Sequence, residues 1–358
     1  MAVHFHSLKI KNIRRETSDC VSVSFEVPED LAEQFLYREG QNITIRKSIN
    51  GEDLRRSYSI CAAPHESELK VAIKKVDGGL FSSFANEHLQ AGDTLEVMPP
   101  SGKFNVKASA DIKGNYLAIA AGSGITPVIS IIKHVLKSNN DSSFTLIYGN
   151  KTRASIIFFD ELEGLKNKYM QRFNFINIFS RERTDADINY GRIDENKLSA
   201  LSHLVPFGSF DDIYICGPEQ MIFASENFLK EKGIDKSRIH FELFTTPGQT
   251  FAAGKNNVAA DDAGPKSKIS IKVDGRSVDF DLGFDTESIL DAALKNGADL
   301  PFACKGGVCC TCRAKLVEGE VRMDVNYALE PEEVEQGFIL TCQSHPVTDK
   351  VVIDFDEK

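Results

Sequence analysis

PFACKGGVCCTC, residues 301–312, sets Cys304, Cys309 and Cys312 at C-x4-C-x2-C spacing, and Cys342 follows in FILTCQSHP, residues 338–346. A 2Fe-2S cluster needs four thiolates, three of which one loop can supply while a later element brings the fourth. Gly306 and Gly307 give such a loop the backbone freedom to turn its amides toward the sulfides. Zinc is the alternative, but four cysteines usually hold it as two short knuckles, and Cys304 and Cys342 lack a close partner of that kind. Cys310 falls outside the pattern and reads as a small loop residue.

The sequence around this loop alternates apolar and polar residues. SKISIKVDG (267–275) and RSVDFDL (276–282) read as a hairpin, 287–295 as a helix and VVIDFD (351–356) as a closing strand, giving an α+β domain at 267–358. Residues 246–266 are rich in Gly, Ala, Asn, Asp and Pro without an apolar period, and read as a linker. Apolar runs at 116–121, 144–148, 173–179 and 213–216, separated by helix-length segments, indicate an α/β domain with a parallel sheet at 109–245. Residues 1–108 show period-two segments broken by Gly and Pro, as in Val21, Val23, Phe25 and Val27, and suit an antiparallel β-barrel.

Charge narrows the function classes. The 358 residues carry a net charge of −10, which argues against nucleic acid or an anionic membrane as partner. From Ser267 onward there are 10 Lys and Arg against 18 Asp and Glu, so the last domain carries −8 of the net −10. No secretory signal opens the chain, no apolar run reaches the roughly 18 to 20 residues of a membrane helix, and the chain reads as cytoplasmic. Eight cysteines in that compartment suggest metal rather than disulfides.

Two further groups of residues carry chemistry. Arg56, Ser57, Tyr58 and Ser59 offer a cation, an aromatic face and hydroxyls, which a flavin's pyrophosphate, ring and N5 require. Leu80, Phe81 and Ser82 follow Gly79 at a helix start, a good phosphate site. Gly122, Ser123, Gly124, Thr126 and Pro127 follow the first strand of the α/β part and permit close approach of a pyrophosphate; Pro127 stands where a Rossmann fingerprint has its third glycine. The second strand ends without the acid that holds the ribose of NAD, whereas Ser180 and Arg181 end the third, so NADPH is favoured over NADH. Cys216, Gly217, Pro218 and Met221 close the last strong strand, and Glu242 and Phe244 lie in HFELF, residues 240–244.

The order and spacing of RSYS, GSGITP, YICGPEQM and HFELF resemble the ferredoxin-NADP reductase family from residue 1 to about 245, and the terminal block resembles plant-type ferredoxins, implying a β-grasp fold there. The resemblance implies that Arg56, Tyr58, Ser59, the backbone of Ala72, Ile73 and Lys74, and the turn Leu80 to Ser82 bind FAD. It implies that Cys216 and Glu242 border the nicotinamide, that Phe244 lies near the flavin ring, and that Ser59, Cys216 and Glu242 form the catalytic set. A reductase half followed by a ferredoxin resembles the reductase components of multicomponent oxygenases, which implies electron flow from NADPH through FAD and 2Fe-2S to a partner oxygenase. Residues 321–346 are similar to reductase subunits of phenylacetyl-CoA epoxidase systems; ketosteroid hydroxylase reductases share the layout. A flavin reductase carrying a zinc-bound interaction module, or a slow redox sensor, would be the competing classes.

Overall fold

The computed structural model describes residues 4–106, 113–244 and 264–357. Most of the expected linker, from 246 to 263, and the junction at 108/109 lie outside these residues. Among the described residues no helix is long and apolar enough to cross a membrane.

Strands β1 (His6–Thr17), β2 (Cys20–Glu26), β3 (Asn42–Ile49), β4 (Glu52–Ser59) and β5 (Leu69–Lys74), helix α1 (Leu80–Glu87) and strand β6 (Thr94–Val97) make the first unit. Its sheet runs β4-β3-β6-β1-β2-β5 with every neighbouring pair antiparallel. An Ile60–Val71 bridge joins the two ends, so the sheet closes as a barrel. Register shifts in β1 after Ile10 and Arg15 let one long strand bend around the closure. The alternating apolar set, including Leu8, Ile10, Val23, Ile43, Ile45, Val71 and Val97, fills the interior, and Phe81 of α1 plugs it.

The second unit holds β7 (Asn115–Ala121), α2 (Ile125–Ser138), β8 (Ser143–Asn150), α3 (Phe159–Lys168), β9 (Phe173–Phe179), α4 (Glu195–Leu201), β10 (Asp212–Gly217), α5 (Glu219–Glu231) and β11 (Ile239–Leu243). The sheet is parallel throughout, in the order β11-β10-β7-β8-β9. Leu117 to Ala120 are fully buried because helices cover both faces, which is why the strands read as continuous apolar runs. Chain order reverses between β7 and β10, and the GSGITP and CGPEQM segments both leave the carboxyl ends of these strands, where an open α/β sheet forms its ligand crevice. The barrel docks on α2: Ser130 donates to the Ala62 carbonyl at 2.6 Å, and buried Lys133 bridges Glu66 of the barrel (2.6 Å) and Glu161 of α3 (2.8 Å).

The third unit comprises β12 (Lys266–Val273), β13 (Arg276–Gly283), α6 (Ile289–Lys295), β14 (Arg313–Glu318), β15 (Val321–Met323), α7 (Pro331–Glu335), β16 (Phe338–Leu340), β17 (Ser344–Pro346) and β18 (Lys350–Asp354). The β12–β13 hairpin forms as its alternation requires, and Ser288 caps α6 by accepting from the Asp291 amide. Strand β18 does not lie at an edge. It sits in the middle of the order β13-β12-β18-β14-β16, parallel to β12 and antiparallel to β14. Its Val351 and Ile353 are fully buried, which the short apolar run at the chain's end supplies.

Candidate functional site

The three units meet around one cavity. Strand β4 delivers Arg56, Ser57, Tyr58 and Ser59 in succession, so alternate side chains point to opposite faces. Tyr58 packs on Phe81 with ring centroids 5.8 Å apart, and Ser59 is buried. The Ser59 hydroxyl donates to Glu242 Oε2 of β11 at 3.0 Å, a contact between the barrel and the parallel sheet. In register, Cys216 of β10 stands between Ala120 of β7 and Glu242. The cavity, about 480 Å³, is lined by Arg56, Ser57, Ser59, Glu242 and Phe244 on one side and by residues 302–306, Val308 and Cys309 on the other. Arg56, Ser57 and Ser59 of the expected flavin set therefore share one space with the cysteine loop, whereas Tyr58, Ala72 to Lys74 and Leu80 to Ser82 do not line it.

Burial sets the protonation of this site. Glu242 has its carboxyl pushed up to about 7 by burial, with the Ser59 hydroxyl opposing the shift. Burial also raises the Cys216 thiol well above its ordinary value, and the nearby Glu242 adds to the effect, so Cys216 is a protonated thiol rather than a nucleophile.

The segments expected to meet phosphate offer backbone donors more than hydroxyls. Helix α1 starts at Gly79 without a side-chain cap, leaving amide donors at its first turn. Ser82 itself is engaged in the turn: its oxygen accepts from the Val76 amide at 3.1 Å and its proton goes to the Gly79 carbonyl. Phe81 belongs to the barrel core, whereas Leu80 is exposed. Ala72, Ile73 and Lys74 pair with β2, the Ile73 carbonyl accepts from Asn86, and the Lys74 ammonium reaches toward Gly122.

The crevice at β7 and β10 is built by close backbone approach. A Cβ on Gly124 would lie 2.1 Å from the Cys216 carbonyl oxygen, and one on Gly217 would lie 2.6 Å from the Met221 methyl and 3.1 Å from the Ala121 nitrogen. Gly122 adopts a positive φ of 55°, and Tyr148 donates to its carbonyl. The Thr126 hydroxyl donates to Ser123 O at 3.0 Å, tightening the entry to α2, with Pro127 buried in the first turn. Pro218 precedes α5 as its N-cap. At the ends of β8 and β9 the amides of Ser180 and Arg181 donate to the carbonyls of Asn150 and Lys151, bringing Lys151 and Arg181 side by side at the surface.

The four expected ligands also converge. Cys309, Cys312 and Cys342 are buried and Cys304 is half-buried. Cys304 and Cys309 sulfurs lie 3.1 Å apart, and Cys342 interacts with both Cys304 and Cys312. The four thiols thus gather in one place, linked by contacts from Cys309 to Cys304, from Cys304 to Cys342 and from Cys342 to Cys312. A two-iron cluster takes two terminal thiolates on each iron, with sulfide bridging the metals, and these four thiols are the donors it needs. The Gly306 amide donates to Cys304 Sγ, and Gln343 Nε2 lies 3.7 Å from Cys342 Sγ. Gly307 has φ 71°, and a Cβ there would meet the Val325 carbonyl at 2.8 Å, so the turn requires glycine. Cys310 points away, toward the Ala328 carbonyl.

Sequence reading missed what holds the loop in place. Arg55, next to the flavin tetrapeptide, reaches the Leu300 carbonyl; Val308, between two motif residues, packs into the apolar cluster of the nucleotide unit that includes Phe223 and Phe241. An Arg-Arg pair on a strand facing a cavity was the available signal for the first, and an apolar residue inside a polar loop for the second.

Comparison with known proteins finds three family domains along the chain. The oxidoreductase FAD-binding domain matches residues 7–106, the oxidoreductase NAD-binding domain 118–227, and the 2Fe-2S iron-sulfur cluster binding domain 271–347. The chain is 47% identical to a subunit of the 1,2-phenylacetyl-CoA epoxidase of Escherichia coli (strain K12) over 99% of its length and 98% of that protein's. It is 32% identical to the ferredoxin reductase component of 3-ketosteroid-9-alpha-monooxygenase from Rhodococcus rhodochrous, covering 97% of this chain and 96% of that protein. Phthalate dioxygenase reductase shares the fold with a TM-score of 0.58 at 22% identity, covering 98% of each chain. With an FAD-type barrel, a pyridine-nucleotide sheet and a 2Fe-2S domain opening on one cavity, the chain belongs to the family of NAD(P)H-dependent oxidoreductases that serve as reductase components of multicomponent oxygenases.

Proposed function

We propose that this reductase takes its electrons from NADPH and delivers them to the oxygenase component of a phenylacetyl-CoA epoxidase system. The observation that carries the electron path is the shared cavity, in which Ser59 and Glu242 face Cys304 and Cys309. When bound, FAD takes both electrons of a hydride and the 2Fe-2S cluster accepts them one at a time. Cys216 and Glu242 would border the nicotinamide, Arg56 and the open start of α1 would hold the flavin's pyrophosphate, and Phe244, which lines the cavity, would lie near the ring. Burial pushes the Glu242 carboxyl up to about 7, so it would hold a proton near neutral pH beside the Ser59 hydroxyl that donates to it, and that hydroxyl would be the group offered to flavin N5. Arg181 and Lys151 favour a 2′-phosphate, since the strand ends carry cations where a ribose-binding acid would select NAD. The 47% identity over nearly the whole chain supports the phenylacetyl-CoA system over the ketosteroid one at 32%.

The test is the visible spectrum of the purified protein before and after anaerobic NADPH, with NADH in parallel. Flavin bands and broad cluster absorption should both bleach, faster with NADPH. Bleaching of the flavin alone would sink the path to the cluster; equal rates with both nucleotides would sink the donor assignment.

A further inference from the structure

We infer that Arg55 is the positioning residue that sets the cysteine loop against the flavin side of the cavity. The inference rests on the electron path proposed above and deepens it. Arg55 leaves β4 one residue before the flavin tetrapeptide, yet its side chain, 6% exposed, crosses into the third unit. Its Nη1 donates to the Leu300 carbonyl at 3.0 Å, and its guanidinium lies 4.2 Å from the centroid of the Phe302 ring. Lys305 approaches the same ring at 4.8 Å, so the aromatic side chain is held between two cations. On the barrel side Nε donates to Asp53 Oδ2 at 3.0 Å, while Asp299 stands 3.7 Å from Nη2.

The planar fork thus grips residues 299–302 from the barrel, and Cys304 follows two residues later. A lysine could carry the charge but could not stack its plane on Phe302 while also reaching the carbonyl. Other polar ties between the two units are weaker or lie off the segment that leads into the loop. Thr44 and Thr311 hydroxyls stand 3.5 Å apart, His4 meets Asp274 at 3.1 Å at the β12–β13 turn, and Lys103 pairs with Glu333 at 2.6 Å near α7. Arg55 thus acts through the segment leading to Cys304 rather than on a reacting atom.

Stopped-flow reduction and amide hydrogen exchange of the full-length holoprotein test this in Arg55→Gln and Arg55→Lys. Flavin bleaching by NADPH should proceed as in the unsubstituted protein. Cluster bleaching should slow by about tenfold in Arg55→Gln, the loss expected from removing one charged hydrogen bond from the docked state, and less in Arg55→Lys. Amides of 299–305 should exchange faster, a readout independent of turnover. Cluster bleaching at the unsubstituted rate, unchanged exchange at 299–305, or equal slowing of the flavin step would each overturn the inference. If Arg55→Gln does not fold, Arg55→Lys decides by the same three readings. Absence of cluster bleaching in the unsubstituted protein would instead defeat the electron path, leaving the exchange data to judge the positioning role.

Discussion

Glu242 is half-buried with one hydroxyl partner, and burial pushes its carboxyl up from 4.5 to about 7. A raised carboxyl binds more protons in the folded than in the unfolded state between those values, so its contribution is fully present below about 4.5 and is lost as pH rises through 7. Glu242→Gln, neutral at every pH, should therefore match the unsubstituted protein near pH 5 and become the more stable of the two at pH 8, by up to about 3 kcal/mol. Thermal unfolding of both proteins across that range checks the crossing; parallel curves would mean that Glu242 titrates normally. The motifs point to Ser59 and Glu242, but not to the bond between them. Alternation along β4 and β11 places each on its strand and carries no information about how a barrel docks on a sheet. Arg55 escaped for the same reason, since its partners lie 245 residues on.

Helix α2 shows how an element can be legible while its fit is not. A glycine-rich entry and an apolar run are plain in the sequence, and both form. The run is buried on nearly every side because one face meets the sheet and another meets the barrel, and Lys133 is drawn into that interface between Glu66 and Glu161. Nothing in a single cation inside an apolar helix announces two acidic partners from different units. Gly124 marks the tightest point of the entry. Gly124→Ala would force the turn away from the Cys216 carbonyl, a strain of about 1–3 kcal/mol if it is absorbed locally. Urea unfolding should show that loss, and nucleotide affinity should fall at least about tenfold; tight binding would mean that the crevice is plastic. Strand β18 forms where its apolar run predicts a strand, but its central place was not legible, because a strand's place in the sheet order depends on partners far along the chain.

At the scale of the molecule, the fold class was readable because three segments of distinct texture follow one another: alternation, βα texture and alternation again. How the units meet was not readable, since the contacts involve isolated residues such as Val308, Phe223 and Tyr327, the last two with ring centroids 6.2 Å apart. Charge asymmetry acts at the same scale. With 18 acidic against 10 basic residues from Ser267 onward, the cluster unit should be steered to a basic acceptor surface. Raising ionic strength should slow reduction of the oxygenase while leaving reduction of a small neutral acceptor unchanged, because the Debye length shrinks to about 8 Å at physiological salt. Equal insensitivity of both rates would remove steering from the account.

The central place of β18 has a consequence for synthesis. Strands β12 and β14 have no sheet partner between them until residues 350–354 leave the ribosome, and β14 follows directly after Cys312. During translation the nascent cysteine loop is thus a set of loose thiols on an unfinished sheet, open to oxidation or to the wrong metal. Iron–sulfur loading becomes a step that follows elongation, and a truncation removing β18 should yield yellow protein without the brown of a cluster.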